Sequence, residues 1–169
     1  PNGELGDENA MLSSMAAGTL DMGIVTSGPF VNYAQDMGVL DMPFLFGSNE
    51  EAYAVLDGEV GQELLGTLES ANLKGLAYAE RGFRNLTNSV RPVTTVADMA
   101  GLKLRVMENE VYAKTFEALG TNATPMGWQD TLTALQNGAI EGQENPVNVI
   151  CSYALWDSNQ KYATLTRHS

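Results

Sequence analysis

Three times in its second half the chain closes a helical stretch with a glycine and turns at once into a short extended run. This punctuation restricts the fold more than any other feature. Thr95 and Asp98 stand at capping-box spacing and open one helical turn that Gly101 ends. Residues 102–107 follow as a strand, with Lys103 and Arg105 on one face and Leu102, Leu104 and Val106 on the other. Residues 111–119 put Tyr112 and Phe116 on one helical face before Gly120, and residues 121–126 read as extended. A third helix over 129–137 is capped by Gly138, with a brief strand at 139–142. Asn145-Pro146 then opens a last helix with proline in its first turn.

The first half uses the same grammar. Residues 7–17 predict a helix with Met11 and Met15 on one face, closed by Gly18. Residues 20–26 are an apolar run expected to be a buried strand, and residues 73–79 are strand-like too. Ser48 and Glu51 form a second capping box, and Val60, Leu64, Leu65 and Leu68 stripe the helix after it. Helices alternating with strands at this spacing predict an α/β fold with mainly parallel sheets.

Charge divides the chain in two. Residues 1–80 hold one basic side chain, Lys74, against 13 acids, whereas residues 81–169 hold eight of each sign. The break predicts two lobes, 1–80 and 81–169, joined by a crossing strand near 79–83 and by another crossing near the C-terminus. A net charge of −12 argues against nucleic acid or an anionic membrane surface as partner. No run approaches the roughly 18 apolar residues that span a bilayer, so no direct membrane insertion is expected. Any secretory leader would lie outside these residues.

Enzyme chemistry finds little support. The only histidine, His168, is next to the last residue, and the motifs of nucleophile elbows, phosphate loops, dinucleotide folds and zinc helices do not occur. The lone Cys151 rules out an internal disulfide and a thiolate metal site, and reads as a small helical residue. No catalytic residue, metal or cofactor is expected.

What does concentrate is arginine. Four of the five, Arg81, Arg84, Arg91 and Arg105, lie within 25 residues. In an acidic protein such a group either pairs internally or is kept for an anion, and internal pairing is the stronger reading for Arg81 and Arg91. Arg105 stands among apolar neighbours, where an unpaired charge is expensive, so it needs either a buried acid or a ligand carboxylate. Trp128, after Gly127 at a helix start, either packs in the core or stacks on a ligand. Asn145, extended because a proline follows, either caps a helix or aims its amide into a cleft. Arg84, Arg105, Trp128 and Asn145 all fall near strand ends or helix starts, where ligands collect in open α/β sheets.

These residues stand within stretches that together resemble one family. Gly82-Phe83-Arg84-Asn85-Leu86-Thr87-Asn88, Arg91-Pro92 and Asp98 through Val106 are the first. Ala118-Leu119-Gly120, Thr124-Pro125-Met126 and Ala134 through Pro146 follow in order, and residues 1–8 and 18–23 fit ahead of them. The chain resembles the solute-binding proteins of tripartite ATP-independent periplasmic (TRAP) transporters, of the DctP type. The resemblance implies a two-lobed fold of the periplasmic binding-protein kind, type II-like, with mixed, mainly parallel sheets and helices on both faces. It implies a periplasmic carrier that closes on a small organic acid and delivers it to the membrane subunits of a TRAP permease. By the same resemblance Arg105 forms a salt bridge with the ligand carboxylate, Arg84 and Asn145 are further ligand-binding positions, and Trp128 lines the pocket.

Glu8, Ser27 of the Thr26-Ser27-Gly28 turn, and the Pro43-Phe44 region are expected to contribute from the acidic lobe. The ring of Trp128 and these acids tilt the expectation toward a sugar acid such as a uronate. Members of the family are about twice this long, so the chain reads as an internal stretch whose fold is incomplete and whose sheet edges are exposed. The alternatives are a periplasmic sensor built on the same lobes and, further off, an α/β enzyme.

Overall fold

The computed structural model describes residues 3–169. The chain divides into two compact units, Pro1–Glu80 and Arg81–Ser169.

In the first unit, helix α1 (Glu8–Ala16) starts at Asp7, whose carboxylate accepts a hydrogen bond from the Ala10 N–H. Its buried side chain is Leu12, with Met11 and Met15 only half-buried. Two 3-10 segments, Gly28–Asn32 and Gln35–Asp41, precede α2 (Asn49–Leu56) and α3 (Glu59–Thr67). Ser48 caps α2 by accepting from the Glu51 N–H, and Glu51 reaches back one residue further than a capping box requires, to the Gly47 N–H. Leu12, Ala34, Met37, Leu65, Leu68 and Leu73 form the core of this unit. Val60, at the top of the expected stripe, is exposed.

The two strands expected here do not form. Residues 20–26 and 73–79 form no helix and make no ladder among the described residues. Ile24 is 87% exposed and Leu76 71% exposed. Extended backbone becomes a strand only when a neighbour takes its N–H and C=O groups, and an apolar run does not supply that neighbour.

The second unit is built on one five-stranded sheet, in the order β3-β2-β4-β1-β5. The strands are β1 (Arg84–Asn88), β2 (Lys103–Val106), β3 (Asn122–Pro125), β4 (Gly142–Pro146) and β5 (Tyr162–Thr164). β2 pairs parallel with β3 and β4, while β1 pairs antiparallel with β4 and β5, so the sheet is mixed and evenly divided. Helices α4 (Glu110–Ala118), α5 (Trp128–Gln136) and α6 (Val147–Ser152) connect the strands. Gly101, Gly120 and Gly138 carry the positive φ angles that end helical segments, +74°, +87° and +76°. The Thr95–Asp98 capping box is present. Leu86, Leu102, Leu104 and Val106 pack with Tyr112 and Phe116 of α4 on one face of the sheet.

Two sequence expectations shift here, both in where a strand begins. The strand placed at 139–142 is β4, which begins only at Gly142 and runs to Pro146, so Asn145 lies in a strand instead of at a helix start. Residues 79–83, expected to form a strand, make no ladder among the described residues, and β1 begins at Arg84. Cys151, on α6, is exposed. Among the described residues no helix is long and apolar enough to cross a membrane, and no group of acids, histidine and cysteine could hold a metal ion.

Candidate functional site

Register decides which side chains can meet. Arg105 of β2 is aligned with Gln143 of β4, and Asn145 of β4 with Asn85 of β1. Side chains alternate along a strand, so Arg105, Gln143, Asn145, Asn85 and Thr87 share one face of the sheet. Arg84, Leu86, Glu144, Leu104 and Val106 share the other, against α4. The two arginines expected to act together therefore stand on opposite faces.

On the first face, Arg105 is 4% exposed at the carboxyl end of β2. Its Nε donates to the Met126 carbonyl at 2.8 Å, and its guanidinium lies over the Trp128 ring, 5.6 Å from the centroid. Trp128, the first residue of α5, also meets Tyr153 edge-on at 5.1 Å. Its buried Nε1 has no hydrogen-bond partner among the described residues. One ring face is thus a seat for Arg105. Asn145 caps no helix, because α6 begins after Pro146 without a side-chain cap, and its amide donates to Gln143 at 2.6 Å.

On the second face, Arg84 is committed to Glu144. Its Nε and Nη2 both donate to the carboxylate, and Nη2 also donates to the Glu144 carbonyl at 2.7 Å. His168 Nε2 lies 3.1 Å from the same carboxylate, with Nδ1 2.8 Å from the Thr166 hydroxyl. The His168 ring meets Phe116 edge-on, and the Arg84 guanidinium lies over Tyr112. Burial by itself would raise the pKa of Glu144, which is 0% exposed. The Arg84 charge and the hydrogen bonds from His168 and Arg84 outweigh it and hold the carboxyl at about 2. The cluster is an internally neutralised pair with a histidine wedged against it.

Glu8 and Ser27 belong to the first unit. Glu8 accepts from the Thr26 N–H at 3.1 Å and from its hydroxyl at 2.6 Å. Ser27 donates to the buried Asp41 at 2.6 Å, and Phe44 is exposed with φ +61°. Arg91 serves structure: Nε and Nη2 hold the carbonyls of Asp98 and Ala100.

Sequence reasoning passed over the buried, hydrogen-bonded side chains of Glu144, His168, Gln143, Thr87 and Gln160. The available signal was a polar run between Gly142 and Pro146. Such a run in the middle of a chain is a loop unless every side chain in it has a buried partner.

The chain spans about half the length of the curated relatives it matches. It is 40% identical, over its full length and 51% of the relative's, to the 2,3-diketo-L-gulonate-binding periplasmic protein of Escherichia coli K12. A TRAP periplasmic solute-binding protein from Polaromonas sp. JS666, solved with D-erythronate bound, superimposes with a TM-score of 0.95 at 42% identity. That match covers 98% of this chain and 55% of that one. The sugar acid-binding protein of Advenella mimigardefordensis, solved with galactonate, gives a TM-score of 0.96 at 40% identity, covering 99% and 54%. The family model for bacterial extracellular solute-binding proteins, family 7, matches residues 1–169. Sequence, sheet topology and these likenesses agree, and the chain belongs to that family, the DctP solute-binding proteins.

Proposed function

We propose that the protein is the periplasmic capture component of a TRAP transporter and that its ligand is an open-chain sugar acid. The observation that carries the reading is Arg105, a buried guanidinium at the carboxyl end of β2, seated on Trp128 and sharing its face with Asn145. A guanidinium at 4% exposure, with a carbonyl and an aromatic ring among its neighbours, suits a carboxylate, which can take two parallel hydrogen bonds from such a fork. The ligands named for three similar proteins, 2,3-diketo-L-gulonate, D-erythronate and galactonate, share a carboxylate at the end of a hydroxylated or oxidised carbon chain.

In this reading residues 81–169 are the lobe that takes the carboxylate and residues 1–80 the lobe that closes over the rest of the ligand. Glu8 and Ser27 accept or donate hydrogen bonds to ligand hydroxyls. Arg84, with two nitrogens on Glu144, adds positive potential and fixes the start of β1 more than it offers a fork. The acidic first lobe presents charge to the membrane subunits of the permease. Binding is stoichiometric and returns the acid unchanged.

A thermal-shift screen of the full-length protein against aldonates, uronates, 2-oxo acids and C4-dicarboxylates tests this. An acid at 1,000-fold over its dissociation constant adds about 4 kcal/mol, a rise of several degrees. That rise should vanish in Arg105→Ala. No rise with any acid, in protein shown by mass spectrometry to carry no prebound ligand, defeats the reading.

A further inference from the structure

On the face of the sheet that carries Arg105, four side chains pass hydrogen bonds along in a single sense. Asn145 Nδ2 donates to Gln143 Oε1 at 2.6 Å, and Gln143 Nε2 to Thr87 Oγ1 at 2.8 Å. Thr87 Oγ1 donates to Gln160 Oε1 at 2.8 Å, and Gln160 Nε2 to the main-chain carbonyl of Glu141 at 3.4 Å. None of the four is more than 6% exposed.

Amides and hydroxyls can face either way, so a chain of them has two possible senses. A carbonyl oxygen cannot donate, and so the Glu141 end admits only one. Gln160 must offer its NH2 there, which turns its oxygen toward Thr87. Thr87 then donates, Gln143 must supply the hydrogen that Thr87 accepts, and the oxygen of Gln143 is left for the nitrogen of Asn145. The β1–β4 ladder already joins these strands through the main chain, so the relay is an addition to the sheet.

Its outcome is an orientation. The amide nitrogen of Asn145 is turned back along β4 toward Gln143, and Oδ1 is the atom turned the other way. We infer that Gln143, Thr87 and Gln160 are positioning residues that hold Asn145 with its oxygen toward the ligand, and that the site thereby selects acids with a hydroxyl on the carbon beside the carboxylate. The inference rests on the reading of Arg105 and Asn145 as the anion-binding end. Gln143 is the register partner of Arg105, and Asn145 lies two residues, roughly 7 Å, further along the same face. In this reading the carboxylate sits at Arg105 and the carbon beside it faces Asn145. A hydroxyl there donates to Oδ1, and a methylene leaves Oδ1 unmet.

The test is calorimetric titration of the full-length protein with D-erythronate and with its 2-deoxy analogue, 3,4-dihydroxybutanoate. Wild type should favour D-erythronate by roughly 5-fold or more. Thr87→Val keeps the shape of a side chain two hydrogen bonds away from Asn145, and should narrow that preference to about 2-fold or less, chiefly by weakening D-erythronate. Thr87→Ser should restore it. Gln160→Met breaks the same relay from its far end and gives the result if Thr87→Val does not fold. A preference unchanged in both variants, or both acids weakened by one factor, overturns the inference and leaves these residues as packing. Wild type that binds neither acid is a different failure, visible in the first titration, and it takes down the carboxylate reading itself.

Discussion

Replacing Glu144 by glutamine keeps the shape of a fully buried side chain and removes its charge. Arg84, 7% exposed at its side chain, would then be a buried cation facing an amide. Removing one partner of a buried pair costs about 3–5 kcal/mol, and the oxygen that glutamine retains argues for the lower end. The titration of Glu144 gives a second route to the magnitude. Its carboxyl is held at about 2 against an ordinary 4.5, and each tenfold change in proton affinity is worth about 1.4 kcal/mol, so the pairing stabilises the folded state by about 3 kcal/mol.

The sign follows from the depressed value. The unfolded chain binds this proton more readily, so the contribution is complete above about pH 5 and fades as the pH falls toward 2. Thermal unfolding of wild type and Glu144→Gln, followed by circular dichroism, should show a melting temperature lower by about 6–12 °C at pH 7. That gap should be flat from pH 6 to 8 and should narrow steadily below pH 5. Arg84→Met combined with Glu144→Leu should recover much of the loss, since it leaves no charge behind. A gap of under 2 °C at neutral pH, or one that keeps its size down to pH 3, would refute the account of Glu144 as the ionised partner of a buried arginine.

Other outcomes follow from the same geometry. Arg105→Ala should weaken carboxylate binding by about 100-fold or more while leaving the fold intact, measured by calorimetry beside circular dichroism. Gly142→Ala would set a Cβ 2.5 Å from the Thr87 carbonyl oxygen and 3.1 Å from Leu104 Cδ1, and should cost about 3 kcal/mol in denaturant titration. Asp98 accepts hydrogen bonds from the N–H groups of Thr94 and Thr95 and then from their hydroxyls, which hold its carboxyl at about 2 against an ordinary 3.8. Carbon-13 NMR should find that midpoint in wild type and an intermediate value in Thr94→Ala/Thr95→Ala, where the N–H donors survive.

What could be read directly from the residues was whatever is settled within a few positions. Ser48 and the Thr95–Asp98 pair announced their helices, because a cap bonds to a backbone group three residues away. Gly101, Gly120 and Gly138 marked ends through a conformation that side chains resist. The alternation in β2 separated Arg105 from Leu104 and Val106 correctly. Failures came where a partner lies far along the chain. Residues 20–26 have the composition of a strand, but pairing requires a neighbour that composition cannot name. β4 hides because Gly142 through Pro146 carries no aliphatic residue. Gln143 and Glu144 are buried only because Thr87, Arg84 and His168 are there to meet them. Arg84 was legible as an arginine needing an anion, and nothing local said that the anion is Glu144.

The three residues at the centre of β4 have a consequence for how proteins of this kind could change ligands. Gln143 and Asn145 point to the side where a ligand is expected, and Glu144 points into the layer that holds the unit together. A shift of pairing by one residue would exchange these roles at once, placing a carboxylate where an anion is proposed to bind and two amides in an apolar layer. Gly142, with no room for a methyl group between β1 and β2, opposes such a shift. Recognition and cohesion are thus spelled in one triplet, and neither can drift alone. New specificities have freer ground in the Trp128 turn and in the first unit, where a substitution can alter what is grasped without touching what keeps the grasping unit folded.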